Sequence, residues 1–184
     1  MSRVGIYGGT FDPIHNGHLR VITELISRDI VDEIILIPAG DPQLRSNPPV
    51  ASGLYRLAMC EIALADLPDQ IGRAVEVSSI EIERIGPTYT IDTVTSIQKA
   101  MPQAQLLLIV GSDAYANFAK WHRMEELTKL VEIIVINRPH HPGGATLDIG
   151  ALDVSATEIR SGESQLVPPS VAQYIKENGL YASQ

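Results

Sequence analysis

Val4-Gly5-Ile6-Tyr7-Gly8-Gly9-Thr10-Phe11-Asp12-Pro13-Ile14-His15-Asn16-Gly17-His18, residues 4–18, passes from a short apolar run through two glycines to two histidines three apart. The run Val4 to Tyr7 reads as a buried strand. Gly8 and Gly9 let a bulky group approach the backbone, and Asp12-Pro13 favours a turn. From His18 to Arg28, apolar residues recur at 19, 21, 22, 25 and 26, which is helical spacing. His18 then lies in the first turn of that helix, beside unpaired N–H groups and the positive end of the dipole. A glycine-rich strand-to-helix turn of this kind is an anion site.

The same alternation continues along the chain. Strands are expected at Glu33 to Pro38, Leu106 to Val110 and Glu132 to Ile136. Ala74 to Glu83 alternates as a strand running into an extended segment, and Leu152 to Val154 would make a short last strand. Helices are expected at Leu54 to Leu64, Tyr89 to Ala100, Trp121 to Leu130, Ala156 to Ser161 and Pro169 to Glu177. Continuous apolar strands alternating with amphipathic helices require a parallel sheet covered on both faces. The expected fold is α/β: a single Rossmann-like, doubly wound domain over residues 1–184, with a mostly parallel sheet of five to six strands. Such folds bind ligands at the carboxyl ends of the strands, near the topological switch point. The opening turn lies at one such end.

Composition narrows the function classes. The 184 residues carry a net charge of −8, so a nucleic-acid surface built from clustered Lys and Arg is not expected. Phosphate binding must come from a few local cations and backbone N–H groups. No apolar run reaches the roughly 18 residues of a membrane helix, and no signal-peptide pattern precedes the first strand. Cys60 is the only cysteine. It falls in an apolar helical pattern, reads as a core residue, and fits a reducing cytoplasm.

Residues 8–18 admit several readings on their own. The turn is neither GxxxxGK[ST] nor GxGxxG. One reading is a plain βα turn with two solvated histidines. A metal site of Asp12, His15 and His18 is another, though HxxH in a glycine turn is tight and a further strong ligand is missing. The third is a phosphate cradle.

GTFDPIHNGH resembles the [T/H]xGH signature of the nucleotidyltransferase superfamily of α/β phosphodiesterases. Val154-Ser155-Ala156-Thr157-Glu158-Ile159-Arg160 resembles its second signature, I-S-S-T-x-I-R, in the expected order. Three further stretches are similar to bacterial nicotinate-nucleotide adenylyltransferases: Glu83 to Thr93 with Gly86-Pro87-Thr88-Tyr89-Thr90, Gly111-Ser112-Asp113-Ala114 followed by Trp121, and the ending with Val167-Pro168, Val171, Tyr174-Ile175 and Gly179-Leu180-Tyr181. The resemblance covers essentially the whole chain. Phosphopantetheine adenylyltransferases share the HxGH turn, but they are typically shorter and lack the first two of these stretches, Gly86-Pro87-Thr88-Tyr89-Thr90 and Ser112-Asp113-Ala114 with Trp121. A nucleotide-binding sensor without turnover is the alternative of a different class.

The resemblance implies adenylyl transfer from ATP to nicotinate mononucleotide, giving nicotinate adenine dinucleotide and pyrophosphate. A homo-oligomer is compatible with it. His15, His18 and Arg160 are the implied catalytic residues. Gly8, Gly9, Thr10 and Phe11 would hold ATP with them, together with Gly111, Asp113, Ser155 and Thr157. Mg²⁺ would bridge phosphate oxygens, with few protein ligands. Ala156 stands where the family usually has a second Ser, so one hydroxyl is lost. Thr88, Tyr89, Thr90 and Trp121 would hold the mononucleotide: free N–H groups at the helix start suit the carboxylate of nicotinate, and the indole stacks on its ring. Arg45 would contact phosphate from a loop, Pro38 to Gly53, that closes over the nucleotide. Each has a plainer alternative: Ser155 as an N-cap, Asp113 as a cap, Trp121 as a half-buried core aromatic, and Arg45 and Arg160 as solvated. Arg56 reads as a helix-surface arginine, and His122, His140 and His141 as solvated residues.

Overall fold

The computed structural model describes residues 1–43, 47–141 and 143–182. Five parallel strands form one sheet: β1 (Arg3–Gly9), β2 (Glu33–Pro38), β3 (Val75–Val77), β4 (Gln105–Gly111) and β5 (Glu132–Ile136), in the order β3-β2-β1-β4-β5. β1 is central, with Ile6 opposite Ile35 on one side and Leu108 on the other. The chain winds outward to β2 and β3, then returns past β1 to β4, so the switch point lies between β1 and β4.

The pleat divides each apolar run between two cores. Tyr7, Leu107, Ile109, Ile34 and Leu36 pack under the helices α1 (Asn16–Ser27), α2 (Gly53–Ala63), α3 (Asp69–Gly72) and α8 (Pro169–Glu177). Val4, Ile6, Leu106, Leu108 and Val110 pack on the other face under α4 (Thr90–Ala100) and α6 (Met124–Leu130). Gly5 is needed in this arrangement, because a Cβ there would lie 2.8 Å from Ile109 Cδ1. Cys60 is fully buried in the first core, as its spacing indicates. The remaining helices are the short α5 (Ser112–Tyr115) and α7 (Ala156–Ser161).

Three elements differ from expectation. The alternating segment from Ala74 pairs only over Val75–Val77. Beyond it, Ser79 Oγ donates to Glu83, and Glu83 N and Arg84 N donate to Ser79 O and Glu81 O, folding the chain into turns. Local serine bonding here competes with the ladder. The helix expected from Trp121 begins at Met124, because Arg123 takes a left-handed φ of 51°. Leu152 to Val154 adds no strand, so five strands make up the sheet among the described residues.

Candidate active site

The carboxyl ends of β1, β2 and β4 open into a cavity of about 770 Å³, a volume that suits a nucleotide-sized ligand. Its floor is the turn after β1. A Cβ on Gly8 would meet nothing, whereas one on Gly9 would fall 2.8 Å from the Phe11 ring. Phe11 holds a φ of 50° and is buried, with its ring edge-on to Tyr7 and His18. The aromatic side chain goes inward, so the 8–11 backbone lines the cavity. Arg56 braces this turn from behind: Nη1 donates to Thr10 O at 2.7 Å and Nε to Ala51 O at 3.2 Å. It is 2 % exposed, not a surface residue. Its position on the stripe 56, 59, 60, 63 was the signal of burial, since Met59, Cys60 and Ala63 are the core residues of α2.

Neither histidine is solvated. His15 occupies the N-cap of α1 and His18 its first turn, and both are buried. Their rings stack at 3.7 Å. The His15 N–H donates to His18 Nδ1 at 3.2 Å, which leaves Nε2 as the protonated nitrogen of neutral His18. His15 Nδ1 is buried without a hydrogen-bond partner among the described residues. Burial, then the Arg138 charge, lowers His15 to about 3. Burial, then His15 and Arg138, lowers His18 well below the usual value. Both are therefore neutral donors at pH 7.

This has a measurable consequence. The folded protein does not protonate these rings at pH values where the unfolded chain does, so stability is fully present above pH 6.5 and falls as the pH drops toward 3. The slope is up to about 1.4 kcal/mol per pH unit for each ring. Urea unfolding at pH 7.5 and pH 5 should show this loss, and His15→Gln should flatten it. An unchanged slope in the variant would count against the buried neutral pair.

The Asp12 carboxylate is engaged by donors of the chain itself: it accepts from Val50 N at 2.7 Å, Ala51 N at 3.0 Å and the Tyr181 hydroxyl at 2.8 Å. Among the described residues no three His, Cys, Asp or Glu side chains converge. The other two carboxylates that line the cavity among the described residues are also engaged, Asp113 with Arg138 and Glu81 with Thr93. These groups fit a divalent ion carried by phosphate oxygens and water better than one in a protein cage.

The second motif meets the first at Gly17, where a Cβ would lie 2.9 Å from Val154 Cγ1. Ser155 caps α7 by accepting from Glu158 N, and the Glu158 carboxylate receives both Ser155 N and Oγ. Val154 to Thr157 line the cavity, Ala156 included. Arg160 does not reach the cavity lining as expected. Its Nη1 donates to Asp12 O at 2.6 Å and its Nη2 to Thr157 Oγ1 at 3.2 Å, while Nε is buried without a partner among the described residues.

At the switch point, Gly111 is required by proximity: a Cβ would meet Asp113 Oδ1 at 2.4 Å and Arg138 Nε at 3.0 Å. Asp113 and Arg138 pair at 3.8 Å, and Arg138 N donates to Ser112 Oγ. Arg138 and Lys120 line the cavity as cations the sequence reading passed over. Arg138 could have been found from its place just beyond the end of β5, level with the ends of β1 and β4.

The far wall holds Thr88, Tyr89, Thr90 and Trp121. Trp121 is half-buried against Phe118, and Tyr89 lies on the His122 ring at 4.3 Å. The Thr88 N–H is not free, because it donates to Asp41 O at 3.1 Å. Its hydroxyl, by contrast, is buried without a partner among the described residues. The loop from Pro38 is anchored at both ends, by Ala39 N to Gly9 O and by Val50 and Ala51 on Asp12. Arg45 lies outside the described residues.

Residues 6–162 match the model of the cytidylyltransferase-like family. The nicotinate-nucleotide adenylyltransferase of Bacillus subtilis is 34% identical, with 100% of both chains covered. A Leifsonia xyli protein named Probable nicotinate-nucleotide adenylyltransferase is 36% identical over 98% of this chain and 94% of its own. In fold, the chain matches Plasmodium falciparum nicotinic acid mononucleotide adenylyltransferase complexed with NaAD. The TM-score is 0.82 at 20% identity, over 100% of this chain and 99% of that one. The same enzyme complexed with APC gives a TM-score of 0.79 at 21% identity, over 100% and 99%.

Proposed function

This chain belongs to the cytidylyltransferase-like family and, within it, to the nicotinate-nucleotide adenylyltransferases, and from that premise we propose how its cavity carries out adenylyl transfer. The reaction joins ATP and nicotinate mononucleotide to give nicotinate adenine dinucleotide and pyrophosphate, a step of NAD biosynthesis. The observation that carries the reading is one cavity shared by the HxGH turn, the Val154–Thr157 segment and the Thr88–Trp121 wall.

The attacking 5′-phosphate has a second pKa near 6 and is largely dianionic at pH 7. It needs neither a general base nor a covalent enzyme intermediate, only alignment with the α-phosphorus and stabilisation of the charge that develops on the departing pyrophosphate. A divalent ion such as Mg²⁺ would come with ATP, held by no cluster of protein ligands among the described residues, and would neutralise phosphate charge. The 8–11 backbone, neutral His15 and His18, and the first turn of α1 receive the ATP phosphates. Arg138 and Lys120 supply the local cations that an acidic chain must concentrate at the site. Arg160 serves indirectly, by holding Asp12 O and Thr157 Oγ1. Cys60, the only cysteine of the sequence and buried in the core, has no partner for a disulfide within the chain and supports action in a reducing compartment such as the cytoplasm.

The mononucleotide occupies the far wall, with its pyridine ring on Trp121. The unpartnered Thr88 hydroxyl supports a direct role for that side chain in reading the nicotinate carboxylate, together with first-turn amides of α4. The assay is pyrophosphate release from ATP with nicotinate mononucleotide, nicotinamide mononucleotide and phosphopantetheine as acceptors. Preferred turnover of the nicotinate substrate is expected, and a preference for phosphopantetheine would overturn the reading. Trp121→Ala should raise KM for the mononucleotide, but not for ATP, through a loss of roughly 1–3 kcal/mol of stacking. Thr88→Val should instead narrow the preference for nicotinate over nicotinamide. If Trp121→Ala weakened ATP alone, the two halves of the cavity would have to be exchanged.

A further inference from the structure

Tyr181 lies after the end of α8 and does not itself line the cavity, yet its hydroxyl donates to Oδ1 of the lining residue Asp12 at 2.8 Å across 169 positions of sequence. Asp12 sits inside the phosphate turn and is 2 % exposed. Its carboxylate takes Val50 N and Ala51 N, and its carbonyl takes Arg160 Nη1. The orientation of Asp12 thus sets three things together: the turn that precedes His15, the anchored end of the 38–53 loop, and the guanidinium of the second motif.

We propose that Tyr181 is a positioning residue for adenylyl transfer, acting through the Asp12 carboxylate to hold the HxGH turn and Arg160 in register. The backbone delivers the ring for this purpose. Leu180 N closes α8 on Ile175 O, Gly179 turns at φ 60°, and Tyr181 itself holds φ 65°. A non-glycine residue in that region carries strain, which persists only where the surroundings hold it. Burial and the Asp12 contacts raise the phenol pKa, so the hydroxyl remains a donor throughout the physiological range. The inference rests on the adenylyltransferase reading and adds a residue that lies behind the cavity lining rather than in it.

The experiment compares Tyr181→Phe, which keeps the ring and removes the hydroxyl, with Leu180→Ala, which loosens the same segment's packing and leaves Asp12 untouched. Tyr181→Phe should lower kcat about 10-fold with KM for the mononucleotide within twofold and Tm changed little. Leu180→Ala should lower Tm while keeping kcat, when assayed at a temperature at which circular dichroism shows it folded. The proposal is overturned by wild-type kcat in Tyr181→Phe, or by an equal loss of kcat in Leu180→Ala. Turnover of the unmodified protein is measured first, and its absence would refute the adenylyltransferase reading alone. Calorimetric titration with MgATP then judges Tyr181: weaker binding in Tyr181→Phe supports the role and equal binding overturns it.

Discussion

Replacing His18 by alanine should lower kcat for adenylyl transfer by about 10²-fold or more, the loss typical of one donor aimed at developing charge. His18 is neutral, with Nδ1 tied to the His15 amide, so its single N–H is oriented before any phosphate arrives. In a buried setting such a donor is worth more than in water. The substitution also has a structural cost. The His15 N–H loses its acceptor, and the rings of His15 and Phe11 lose a neighbour at 3.7 and 4.9 Å. An unsatisfied buried donor costs about 1–3 kcal/mol, so the variant should melt earlier than the parent. Rates must therefore be taken where circular dichroism shows it folded. Near-normal turnover there would remove His18 from the chemistry and leave it only a packing role.

Asp12→Ala should destabilise the fold by about 3–5 kcal/mol, as expected when one partner of a buried charged pair is deleted. The change strands two amides and a phenol hydroxyl, and it removes a counter-charge 3.9 Å from the Arg160 guanidinium, whose bond to the carbonyl of residue 12 survives. Against the 5–15 kcal/mol that stabilises a typical domain, that is a large share. Asp12→Asn keeps an acceptor oxygen for these donors and should lose less. Urea unfolding followed by circular dichroism measures both. A loss under about 1 kcal/mol for Asp12→Ala would mean that water replaces the carboxylate at the site, contrary to its burial.

The architecture was legible because period and chemistry agree along most of the chain. In Leu106 to Val110 every residue is apolar, and the pleat then sends alternate side chains into two cores. The elements that went unread are those where local bonding defeats periodicity. Ser78 and Ser79 end a convincing alternation, and a left-handed Arg123 delays a helix. At the site, residues of both motifs and Trp121 line one cavity. The direction of hydrogen bonds is a different matter. Whether the Thr88 amide or its hydroxyl is free depends on Asp41, and whether Arg160 faces a phosphate or Asp12 depends on a turn 148 positions away. Arg56 shows the limit from the other side: its stripe was visible, but a buried cation is credible only once the Thr10 and Ala51 carbonyls are seen to receive it.

The meeting of the two motifs at Gly17 has a consequence for how the protein comes into being. The five strands described are complete by Ile136, and Val50 and Ala51 can already meet Asp12, while its partners Arg160 and Tyr181, and Val154 against Gly17, arrive with residues 154–181. A growing chain can pair its sheet early, but its phosphate cradle stays open until the ribosome has delivered α7 and α8. Closing so long a loop is cheap at equilibrium, about 0.6 kcal/mol for each doubling of length. It is slow all the same, because contacts between distant positions form late. Nucleotide binding should therefore report on chains in which residues 154–181 have docked on the turn, rather than on chains that have merely collapsed.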